Sequence, residues 1–156
     1  APAPALVIAG DFEDESYMSA RATIRRVIAE LGTGAHIVLP GFVSDEELAC
    51  LYSAAGAVAN PSLAEGFGLP AVEAAACGCA LVLSDLPAHR ETLDGGALFV
   101  EPRDDAGLAD ALGRILTDEH LRERLGADAL ERAGRLSWDR SAERLRTLVT
   151  EVGETA

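Results

Sequence analysis

Five short apolar runs punctuate the chain: Leu6–Ala9, His36–Leu39, Ala57–Ala59, Ala80–Leu83 and Ala97–Val100. Each is continuous rather than alternating, the pattern of strands covered on both faces in a parallel sheet. Between them the period changes to that of helices. Residues 16–31 place Ala20, Ile24, Val27, Ile28 and Leu31 on one face. Residues 44–55 open with a start signal. Ser44 and Glu47 have capping-box spacing, and Val43 and Leu48 sit where a hydrophobic staple would close. This alternation predicts an α/β fold with a parallel sheet and flanking helices. The last third is helical alone. Leu108, Leu112, Ile115 and Leu116 form one stripe, and Leu121, Leu125 and Ala129 a second. Trp138, Ala142, Leu145, Leu148 and Val149 form a third, with Ser137 as N-cap. Trp138 reads as a core anchor.

One segment departs from this regularity. Glu65-Gly66-Phe67-Gly68-Leu69-Pro70-Ala71-Val72-Glu73 sets two carboxylates on either side of two glycines and a proline. Gly66 and Gly68 allow a close backbone approach to a ligand. Pro70 suits a first helical turn, where its missing N–H costs nothing. The apolar run beyond it reads as a buried helix. The free amides of Gly68, Leu69 and Ala71 would then lie at a helix N-terminus, which attracts anions. Glu73, about one turn in, is an acceptor only and suits a pair of hydroxyls.

The stretch Asn60–Ala74 closely resembles the E-x7-E signature of retaining GT-B glycosyltransferases of family 4, the glycosyl transferases group 1. Ile37–Leu48 resembles the segment before that signature; Ser84–Thr92 and Leu98–Pro102 resemble segments after it. The wording of Ser84–Thr92 leans toward mannosyltransferase-like members. The resemblance implies that 1–156 is a single partial domain, the Rossmann-like donor-binding C-terminal half of a GT-B fold, lacking its first strand. It implies a nucleotide diphosphate sugar as donor substrate, no cofactor and no metal. Glu65 would be the catalytic carboxylate, accepting sugar hydroxyls and orienting the anomeric carbon. Gly66, Phe67, Gly68 and Leu69 would meet sugar and phosphates through their amides. Glu73 would hold the ribose, and Val43 would meet the base through its backbone. The acceptor glycan or lipid would bind an N-terminal domain that is not in this sequence. The Arg and Lys that grip the donor diphosphate in the family belong to the missing strand–loop–helix. Without them the chain alone is expected to bind nucleotide weakly and to show no turnover. If the family's 3-2-1-4-5-6 strand order holds, the second and fourth strands are left with open inner edges. Those edges would join directly or be filled by another chain, through self-association for example.

Composition narrows the alternatives. A chain of 156 residues suits one domain. The net charge of −13 argues against nucleic acid as a partner. All 13 basic residues are Arg, as a GC-rich genome would give. Mean hydropathy is +0.14, with no run long enough to span a membrane. Ala1-Pro2-Ala3-Pro4-Ala5 has no basic region and reads as the start of an excised piece rather than a signal peptide. The expected location is the cytoplasm, peripheral at the inner membrane through the absent domain. Cys50, Cys77 and Cys79 read as small buried thiols, without zinc-ligand spacing. The acidic group Asp11, Glu13, Asp14 and Glu15 reads as a solvated loop rather than a metal site. Ser62 fits either a phosphate contact or a turn. His89, Arg90 and Glu91 read as capping or surface residues, since no nucleophile accompanies them. A dehydrogenase fingerprint G-x-G-x-x-G and a hydrolase elbow G-x-S-x-G are both absent. The competing reading is a non-catalytic assembly module that keeps the Rossmann-like fold.

Overall fold

A computed structural model describes residues 4–10 and 21–154. The acidic group at 11–15 and Ala20 lie outside the described residues. The chain divides into two compact units, 1–48 and 49–156.

In the first unit β1 (Leu6–Ala9), α1 (Arg21–Leu31) and β2 (Ile37–Gly41) follow one another, and β1 pairs with β2 in parallel. The register runs Leu6 to Ile37 and Val7 to Val38, then shifts before Ala9 meets Gly41. None of the described side chains here is buried. Leu6 is 54% and Val38 50% exposed. The apolar runs predicted these strands in place, but not their exposure. A strand pair covered on both faces needs elements on both, and among the described residues β1 has β2 as its only strand neighbour.

Helix α2 (Asp45–Ala54) begins where the capping box predicts. The Ser44 amide donates to Glu47 Oε2 at 2.8 Å, and the Glu47 amide donates to Ser44 Oγ at 3.3 Å. Hydrogen bonding to Ser44 holds the Glu47 carboxyl below its usual range.

The second unit holds a three-stranded parallel sheet in the order β3 (Val58–Asn60), β4 (Leu81–Ser84), β5 (Ala97–Val100). Helices α3 (Leu69–Ala76) and α4 (Pro87–Leu93) make the crossovers. Every residue of β4 is buried. On one face Leu81 and Leu83 pack with Ala71, Ala74 and Ala75 of α3 and with Ala129 and Ala133 of α6 (Glu119–Ala133). On the other, Val82 packs with Ala111 and Ile115 of α5 (Asp105–Thr117) and Leu125 of α6. Alanine faces let α3 approach closely, as does Gly126, where a Cβ would overlap the Gly78 carbonyl. Both later helices are capped by aspartate: Asp104 Oδ1 accepts from the Gly107 amide and Asp118 Oδ1 from the Leu121 amide, each at 2.9 Å.

The last helix, α7 (Trp138–Glu154), starts at its predicted cap, the Arg140 amide donating to Ser137 Oγ at 3.1 Å. Its apolar stripe is exposed, with Trp138 at 80%. Trp138 is therefore no core anchor: periodicity located the stripe, but among the described residues it stays exposed. Cys79 is buried and its thiol donates to the Tyr52 carbonyl at 2.9 Å. Burial, with the neighbouring Cys77 second, pushes the Cys79 thiol up to about 11. Cys50 is exposed, contrary to the expectation of three buried thiols. No helix among the described residues is long and apolar enough to cross a membrane.

Candidate functional site

The site lies at the C-terminal end of β3, where ligands meet open α/β sheets. After Asn60 the chain turns through Pro61 and Ser62 and reaches Glu65. Ser62 Oγ lies 2.6 Å from Asn60 Oδ1 and 2.7 Å from Glu65 Oε1. A hydroxyl has one hydrogen and a carboxylate only accepts, so Ser62 donates to Glu65. Both side chains are half-buried. Ser62 is thus more than a bare turn residue. It orients the carboxylate three residues on, a role its sequence position did not reveal.

The glycine loop follows. Gly68 adopts φ +84 and caps α3 without a side-chain bond. Its carbonyl accepts from the Ala71 amide at 3.0 Å and the Val72 amide at 3.1 Å. The Ala71 amide is therefore not free, a correction to the sequence reading: a tight first turn uses it internally. Pro70 stands second in the helix, after Leu69. The amides of Gly66, Phe67, Gly68 and Leu69 meet no acceptor among the described residues. Unpartnered donors at the positive end of a helix are the kind of group that meets an anion.

Glu73 is exposed on α3, one turn beyond the loop. Beside it stands Tyr52 of α2, half-buried; burial first, then the Glu73 charge, pushes its phenol above the ordinary range. Nothing in the sequence paired these two residues. Val43 lies in the loop after β2, in the first unit.

Phe67, Leu69 and Val72 also line an apolar pocket of about 330 Å³ with Leu136, Trp138 and Ser141. Of the three residues 89–91, Arg90 and Glu91 are exposed as expected, whereas His89 is fully buried. Arg90 grips both Asp85 oxygens at 2.7 Å, reaches Asp94 at 3.0 Å and lies 3.9 Å over the Phe99 ring. The guanidinium bond holds the Asp85 carboxyl below its usual range.

Residues 1–132 match the family described as Glycosyl transferases group 1. The chain belongs to this family. It is 42% identical over 109 residues to the D-inositol 3-phosphate glycosyltransferase of Corynebacterium jeikeium, covering 69% of this chain and 26% of that protein. It is 36% identical over 99 residues to the O-antigen chain mannosyltransferase B of Escherichia coli, covering 64% of this chain and 26% of that protein. Sucrose-phosphate synthase from Thermosynechococcus elongatus superposes with a TM-score of 0.88 at 31% identity, over 97% of this chain and 39% of that one. The α/β reading with a helical end matches these GT-B neighbours. The chain spans about a quarter to a third of the length of the curated relatives it matches.

Proposed function

We propose that this chain is the donor-binding part of a retaining glycosyltransferase of family 4. It transfers a hexose, mannose or glucose in type, from a nucleotide diphosphate sugar to a glycan or lipid acceptor. The reading takes residues 1–156 as one partial GT-B domain acting in the cytoplasm, peripheral at the inner membrane through its acceptor-binding part. One observation carries it: a carboxylate held by Ser62 stands beside four unpartnered amides, with Glu73 one helical turn beyond.

In this reading the Gly66–Leu69 amides and the α3 dipole meet the diphosphate, without a metal. Glu73 accepts both ribose hydroxyls, and the Val43 backbone meets the base. Glu65 accepts sugar hydroxyls and stabilises positive charge developing at the anomeric carbon, as in glycosyl transfer generally. The bond from that carbon to the phosphate oxygen breaks, and a bond to the acceptor oxygen forms on the same face. The acceptor proton passes to the departing phosphate. With no Lys in the chain, binding is weak and turnover needs the rest of the enzyme. The name of the Escherichia coli relative fits the mannosyl lean, and that of the Corynebacterium jeikeium relative names no donor sugar.

Calorimetric titration with UDP, GDP and ADP tests the reading. Saturable binding of one nucleotide, lost in Glu73→Ala, is expected and names the base. Equal binding by the Glu73→Ala variant would remove that residue from the site.

The exposed α7 stripe and β1 favour a second reading, a module that docks on protein or on its own copies. Sedimentation equilibrium decides it: a mass that stays at 16.3 kDa across concentration excludes self-association.

A further inference from the structure

Two buried side-chain polar atoms among the described residues meet no hydrogen-bond partner: Ser84 Oγ and His89 Nε2. A buried polar atom left unpaired is costly, so each needs a reason. For His89 the reason lies in its two edges. Its Nδ1 stands 2.8 Å from the Ser84 carbonyl oxygen, at the end of β4. A carbonyl only accepts, so Nδ1 carries the hydrogen of that bond, while Nε2 on the far side of the ring meets no partner. The opposite edge faces the glycine loop. A Cβ placed on Gly68 would stand 2.9 Å from His89 Cδ2 and 3.1 Å from Nε2. The imidazole therefore occupies the space against the left-handed turn at Gly68, where a side chain at that position would have to stand.

We propose that His89 is a positioning residue for the donor loop. The central strand anchors one edge of the ring, and the other edge is the floor that fixes the Gly68 turn. The consequence spreads along the chain, because the Gly68 carbonyl receives both Ala71 and Val72 amides and so sets the first turn of α3, with Glu73 the next residue. His89 fixes where the Gly66–Leu69 amides point without touching a ligand. The inference rests on reading that loop as the donor site, but its geometry can be tested apart from any donor.

NMR on the isotopically labelled chain supplies that test. The wild type is expected to show an Overhauser contact between His89 Hδ2 and the Gly68 α-hydrogens, and imidazole nitrogen shifts of the Nδ1–H form. Absence of the contact, or an Nδ1 without its hydrogen, overturns the proposal, and neither readout needs a variant to fold. His89→Asn keeps a donor for the Ser84 carbonyl and removes the floor. It is expected to move the amide signals of residues 66–69 and the φ-dependent coupling of Gly68, while β4 signals stay. Unmoved loop signals in a folded variant overturn the proposal. UDP, GDP and ADP affinities are then compared. Where the wild type binds, His89→Asn is expected to lose on the order of tenfold or more, as for displaced groups distant from the chemistry. A wild type that binds none counts against the donor reading, and the NMR comparison still decides His89.

Discussion

Strands β1 (LVIA) and β4 (LVLS) are nearly the same in sequence character and opposite in surroundings. All four residues of β4 are buried; three of the four in β1 are exposed and none is buried. The difference lies in what flanks them. β4 has a strand on each edge and helices on each face, whereas β1 has a single strand neighbour among the described residues. An apolar run thus predicts that a strand forms, while its burial depends on how many distant segments return to cover it.

The largest expected effect tests that contrast. Leu83→Ala should cost roughly 2–5 kcal/mol by urea denaturation, the range for emptying a packed site. Val38→Ala, at a half-exposed position, should cost under about 1 kcal/mol. Equal losses would mean that β1 and β2 are as covered as β4. Caps should show the reverse, because they are local. Ser44→Ala in the first unit and Asp104→Ala in the second should each cost about 1 kcal/mol. A cap effect confined to the second unit would show that α2 does not start at Ser44. The smallest effect reaches the site itself. In Glu73→Gln the Tyr52 phenol should titrate at lower pH than in the wild type, because the charge that raises it second to burial is gone. Burial remains, so it stays above the ordinary value near 10. An unchanged ultraviolet titration would separate the two side chains.

Much of the candidate site was legible because it is local. Glu65, the glycines and Glu73 sit within nine residues, and helix geometry alone puts Glu73 one turn beyond the loop. Ser62 was ambiguous, since the same Pro-Ser turn fits a phosphate contact or none, and its 2.7 Å bond to Glu65 was not legible from the sequence. The amide of Ala71 was misjudged because a tight first turn cannot be told from a regular one by residue type. Trp138 was misplaced because an amphipathic stripe states which face is apolar, not that anything in the same unit covers it. His89 was read as surface for the converse reason: a polar residue in a short helix carries no sign that Gly68, twenty-one positions earlier, packs on its ring.

The sequence by itself determined the order of elements, the caps at Ser44 and Ser137, the signature with its spacing, and the family. These follow from contacts within a few residues, where composition and period decide the outcome. Tertiary structure alone decided which strands are buried, that Tyr52 stands beside Glu73, and that His89 lies under the Gly68 turn. Those relations join residues far apart in the chain, and their energies exist only once β4 has brought the segments together.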